Sequence, residues 1–147
     1  MTATTDTPRA AAPWHFWVLG VLGFLWSCMG AYDYLMSHLQ GDAYYRQSHM
    51  TDAQIAVMNA YPVWMHAVWA IGVWGSVLGA VLLLLRMRWA FHAYVLSTLG
   101  AIGALAYSVA VAHASKPMEI VFPVIIIAVC LFFVWYCSAM TKRGVLR

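Results

Sequence analysis

The run from Pro62 to Arg86, PVWMHAVWAIGVWGSVLGAVLLLLR, carries no charge before its closing arginine and a single histidine near its start. A helix needs roughly 20 apolar residues, at about 1.5 Å each, to cross a hydrocarbon core about 30 Å thick. This run is therefore long enough to span a bilayer, and three further runs satisfy the same arithmetic. The expected architecture is an all-α polytopic membrane protein, four transmembrane helices in an antiparallel bundle, with spans at about 14–36, 62–85, 90–113 and 118–140. Residues 14–140 then form a single transmembrane domain, with a disordered cytoplasmic N-terminus at 1–13 and a basic cytoplasmic tail at 141–147.

Composition points the same way. With 64% hydrophobic and 9% charged residues, a soluble domain of this length would carry more apolar surface than one core can bury; a lipid bilayer supplies the missing partner. The net charge of +3 comes from clusters at the ends of apolar runs, as topology signals do, and not from a continuous basic face, so no nucleic acid partner is expected. Cys28, Cys130 and Cys137 lie inside apolar runs without a CxxC spacing and read as small apolar fillers. The first span is longer than the apolar region of a signal peptide and lacks a clear small-residue cleavage site behind it, so it should remain as an anchor.

Within that span Gly23, Trp26, Gly30, Asp33 and Ser37 recur at alternating three- and four-residue spacing. One stripe facing protein is expected, because an aspartate aimed at lipid costs several kcal/mol unless it reaches water. Between spans one and two the chain turns polar. Thr51 followed three residues later by Gln54 is a capping-box pattern that opens one short extramembrane helix running to Ala60. Pro62 then forces a bend or a fresh helix start.

Only a few residues separate spans two and three, so the two should form an antiparallel hairpin. Gly72, Gly75 and Gly79 on one helix and Gly100 and Gly103 on the other allow the close backbone approach that drives helix association in lipid. Internal packing is the simpler use of these glycines; a dimer face is the other. Ser115 can cap the fourth span, with Pro117 and Glu119 in its first turn. The bulky run VIIIAVCLFFVWY should show much of its surface to lipid.

Orientation follows from counting cations. Arg9, Arg86, Arg88, Lys142, Arg143 and Arg147 fall on one side of a four-span layout, against Arg46 and Lys116 on the other. The positive-inside rule places both termini in the cytoplasm of a multi-pass inner-membrane protein.

Counting along each helix puts Asp33, His66 and His113 near the same, external boundary, where Glu119 begins the last span. Asp33 and His66 are expected to share a direct or water-bridged hydrogen bond. These four residues admit three uses. The polar groups can satisfy one another and the helix ends; they can line an outward-open cavity for a proton, ion or polar solute; or His66 and His113 can serve as axial haem ligands or, with nearby methionines, hold copper. No HxxxH, CxxCH or dense methionine array supports the last, so no cofactor is expected and haem or copper is the least favoured use. His15 and His92 read as interfacial. Trp26, Trp69 and Trp74 lie deeper than the other tryptophans and read as space-fillers between small-residue helices.

The segments PWHFWVLGVLGFLWSCMGAYDY and YPVWMHAVWAIGVWGSVLGAVLLLLR, separated by a polar interval, resemble a family of small four-span proteobacterial inner-membrane proteins without established activity. Some members are labelled sugar transporters. The resemblance implies the four-span layout and carries no catalytic motif. Four helices are few to enclose a sugar with alternating access, although a homodimer would supply eight.

Two functions of different class follow. The first is an accessory or assembly subunit that docks through its glycine-rich face to a larger membrane complex. The second is an oligomeric transporter or channel component using Asp33 and His66. No nucleophile, base and orienting group can be assembled, so an enzyme is not expected.

Overall fold

A computed structural model of the chain describes residues 10–110 and 117–147, the side chains of 117–119 excepted. Among the described residues there are six helices and no strand: α1 (Trp14–Gln40), α2 (Asp42–Gln47), α3 (Asp52–Asn59), α4 (Val63–Leu84), α5 (Trp89–Ala110) and α6 (Pro117–Lys142). Four of them, α1, α4, α5 and α6, are long and apolar enough to cross a membrane. The expected short helix between the first two spans is α3, α2 is an additional helix before it, and α1 runs one turn further than expected, to Gln40. The expected His113, Ser115 and Lys116 lie outside the described residues, as does Arg9.

The breaks between helices have local causes. Pro13 and Pro62 hold extended backbone (ψ 154° at both) directly before α1 and α4, the conformation that lets a helix start at the next residue. Gly41, at φ 52° and ψ −123°, ends α1 in a region closed to most side chains. Thr51 forms the anticipated capping box: its hydroxyl accepts from the Gln54 amide at 3.4 Å, and the Gln54 side chain accepts from the Thr51 amide at 2.9 Å.

The spans pack in sequence, α1 on α4, α4 on α5 and α5 on α6. The α4–α5 hairpin is the tightest contact, and its glycines explain why. A Cβ built on Gly100 would come 2.7 Å from the Gly72 amide nitrogen and 2.9 Å from its Cα, so backbone lies directly on backbone. Gly75 faces Ser97 and the Ala93 carbonyl, Gly79 lies against the Tyr94 ring, and Gly103 meets Val68. Ser97 adds a 2.6 Å hydrogen bond from its hydroxyl to the Gly72 carbonyl, reaching a helix carbonyl that close approach has brought into range.

The first helix closes the bundle through two other glycines: Gly20 abuts Leu84 of α4, and Gly23 abuts the Phe133 ring of α6. Its buried stripe is Phe16, Gly20, Gly23, Ser27, Ala31 and Ser37. The expected stripe is corrected here. Gly30 faces open space and Asp33 is exposed. A strict heptad spacing drifts about 20° per repeat from a real helix of 3.6 residues per turn, so the protein-facing line passes through Ser27 and Ala31 and leaves Gly30 and Asp33 to one side.

Both described chain ends and the α4–α5 turn meet at one end of the bundle, called here the terminal end. Phe16, Leu83, Tyr94, Phe133, Tyr136, Cys137 and Met140 form a buried core there, which Val145 and Leu146 complete. The basic tail is thus packed: Arg147 pairs with the turn, donating to the Arg86 carbonyl at 3.0 Å and accepting from the Arg88 amide at 2.7 Å. Arg86, itself at φ 61°, donates through Nε to the Val145 carbonyl at 3.1 Å and through Nη2 to the Ala10 carbonyl at 2.6 Å. On α6, by contrast, Val121, Phe122, Val124 and Ile125 near the opposite end are exposed, in keeping with a lipid-facing helix.

Candidate functional site

The polar residues of the opposite end divide into two groups, and the helix periodicity of α1 decides which residue joins which. Half-buried Tyr34 and exposed His38, one turn apart beside the buried line, stack on each other with ring centres 4.2 Å apart. Asp33, the residue before Tyr34, is rotated about 100° away from them. Its carboxylate accepts a 2.8 Å hydrogen bond from the Tyr44 hydroxyl of α2. That bond holds the phenol proton and pushes the Tyr44 pKa above its ordinary 10.0. The neighbouring Tyr45 is raised as well, chiefly by burial. Asn59 of α3 donates to Asp42 at 2.8 Å, tying the two short helices together.

The expected Asp33–His66 contact is therefore not a direct hydrogen bond. The histidine instead faces His38, with ring centres 5.2 Å apart and planes at 79°. Trp69, one turn further along α4, packs edge-on against Tyr34 at 5.1 Å and lies 5.8 Å from His38. On the other flank Tyr61 lies 6.4 Å from His66 and 5.3 Å from Tyr107 of α5, which also meets Trp64 at 5.4 Å. Two histidines thus sit within an aromatic wall contributed by α1, α4, α5 and the segment preceding α4.

Proton positions in this cluster can be argued from the acceptors. The Ser108 hydroxyl donates to the Ala104 carbonyl at 3.0 Å, so the 3.2 Å contact between Tyr61 and Ser108 has the tyrosine as donor. His38 Nδ1 lies 2.9 Å from the Tyr34 carbonyl, which can only accept, so Nδ1 is the donor in this contact. His66 Nδ1 is buried without a hydrogen-bond partner, an arrangement that costs about 1–3 kcal/mol when nothing fills it. The cluster can accept a proton or offer ring nitrogens to a small polar or cationic guest.

Of the residues singled out from sequence, His66 alone lies in this cluster, Asp33 turns to α2, His113 lies outside the described residues, and Glu119 lies in the first turn of α6 with its side chain outside the described part. Tyr34 and Tyr107 were not singled out, Trp69 was expected only to fill space, and His38 was placed near this boundary without a partner. The available signal was the step of three and then four residues from Ala31 through Tyr34 to His38 beyond the small residues of α1. Among the described residues no three His, Cys, Asp or Glu side chains converge as a metal site would require.

Away from this end the core contains a second unsatisfied group, the Tyr94 hydroxyl, buried where Tyr94 stacks on Phe133 at 5.0 Å and 9°. No protein-family model, no curated protein and no solved structure matches the chain.

Proposed function

We propose that the protein is a small accessory subunit that docks onto a larger membrane assembly through the uncovered face of α1. The observation that carries this reading is the placement of Asp33 and Gly30. A carboxylate about 28 Å along the helix from Trp14, near the edge of the hydrocarbon core, is exposed beside Met29 and Tyr32, and next to it Gly30 leaves a notch that none of the described residues fills. A partner helix that reaches the notch could also supply a donor to Asp33, relieving the cost of a carboxylate at that depth. The glycines of α4 and α5 are consumed by the internal hairpin and do not serve this role. Only 22–28% of each span's apolar stretch is buried inside the chain, which leaves ample surface for lipid and for a partner.

The test is photo-crosslinking in native membranes from two positions of equal exposure, Met29 and Leu99, each 60% exposed. Docking through α1 predicts a discrete protein adduct from position 29 and lipid adducts alone from position 99. Lipid adducts from both positions would refute it. The same reading takes the membrane to be the bacterial inner membrane with both termini cytoplasmic, on the six-to-two distribution of Lys and Arg. Reporter fusions after Arg88 should then behave as cytoplasmic and fusions near Gln47 as external.

A second reading, a transporter or channel component, has the unpartnered His66 nitrogen in its favour. Against passage through a single copy stands the buried layer of Ser97, Tyr94, Phe133 and Leu83 beneath the histidines. Binding at the cluster would show as protection of His66 from modification by the solute; modification rates that no proton, ion or sugar alters would remove this reading.

A further inference from the structure

We infer that the chain docked on α1 is a different protein from this one, a transmembrane helix that brings a Lys or Arg side chain to Asp33. Given docking through α1, as proposed above, the residues of that face fix what the partner must carry. At about 100° of rotation per residue, Leu22, Met29 and Asp33 fall within about 40° of one another and nearly opposite buried Ala31. Leu22, Met29 and Tyr32 are each more than half exposed. The uncovered face is thus apolar for about three turns and ends in a carboxylate.

Among the described residues no cation neutralises that carboxylate. Helix α1 contains neither Lys nor Arg. The bond from the uncharged Tyr44 phenol at 2.8 Å uses one acceptor position and leaves the charge in place, and an ionised carboxylate can accept several more hydrogen bonds. Arg46 follows Tyr44 by two residues, about 200° around α2, and so turns to the other side of that helix. A carboxylate beside hydrocarbon is costly until a cation pairs with it.

Charge separates the possible occupants. A second copy, docked about a two-fold axis through the same face, would set one Asp33 carboxylate against the other with no cation between them, a like-charge contact that interfaces avoid. The phosphate of an anionic lipid is repelled for the same reason. A helix carrying Lys or Arg meets both features of the face: its cation reaches Asp33, and its backbone can approach closely at Gly30, where an added Cβ would find no atom within 4 Å.

Photo-crosslinking from position 29 of the full chain in native membranes, followed by sequencing of the joined peptide, tests the partner. The peptide should come from another protein and be an apolar segment with Lys or Arg within about two turns of the joined residue. Asp33→Asn should cut the adduct yield on the order of tenfold. Tyr44→Phe, which removes the same internal hydrogen bond but keeps the charge, should leave the yield unchanged. Changing the partner's cation to Asp should abolish the adduct, and Asp33→Lys should then restore it. A second copy as the joined chain, a peptide without Lys or Arg, full yield from Asp33→Asn, equal losses in Asp33→Asn and Tyr44→Phe, or no rescue by the charge exchange would each overturn the basic partner while docking through α1 stands. Lipid adducts alone from the parent chain would instead refute the docking and the partner with it.

Discussion

The two ends of the bundle are built on different principles. At the terminal end, three chain segments distant in sequence are tied by backbone and arginine hydrogen bonds over a core of buried aromatics. At the opposite end, rings meet edge to face, Asp33 is satisfied by a short peripheral helix, and His66 keeps an unpartnered nitrogen. Close packing leaves little room for chemistry. At the opposite end the polar groups are held in place by ring contacts and one peripheral hydrogen bond, and the His66 Nδ1 atom is left unused.

The sharpest way to break this comparison is to disturb the closest backbone contact. Gly100→Ala should cost about 3 kcal/mol, since its new methyl would strike Gly72 backbone that cannot move aside; the loss would appear in the melting temperature. Gly30→Ala, with no atom within 4 Å, should instead stabilise by up to about 1 kcal/mol through helix propensity. Comparable losses at both positions would mean that the bundle is not divided as described.

Arg86→Ala comes next. Removing two charge-assisted hydrogen bonds to the Val145 and Ala10 carbonyls should cost about 2 kcal/mol and expose the C-terminal residues to carboxypeptidase. A tail as resistant as in the parent would show that Val145 and Leu146 hold it without the arginine. Thr51→Ala should cost about 1 kcal/mol and remain local: amide exchange in α3 should accelerate while exchange in α5 does not change. Smallest of all, Tyr94→Phe removes a buried hydroxyl that has no partner and should leave the melting temperature unchanged or slightly raised. A clear loss there would reveal a hydrogen bond to a buried water.

The spans, the hairpin glycines and the Thr51 cap were legible in the sequence because each rests on a short-range rule: apolar length, small-residue spacing or the reach of a hydroxyl to an amide three residues on. The first helix shows where such rules end. Its Gly23, Trp26, Gly30, Asp33 and Ser37 suggested one face, yet of these only Gly23 and Ser37 are buried, since a drift of one residue over two turns moves a side chain by about 100°. That drift separated Asp33 from His66 and brought in His38. Helix α2 gave no signal, because its position rests on a tertiary hydrogen bond between Tyr44 and Asp33 rather than on local pattern.

The claim that the uncovered face of α1 is a docking face is tested most directly by mass. Light scattering in mild detergent should find the native protein in a particle larger than one chain, and Gly30→Leu, which blocks the notch without touching the internal packing, should be a single folded chain. A native protein that is already a single chain, or a Gly30→Leu variant that keeps the full assembly, would contradict the account.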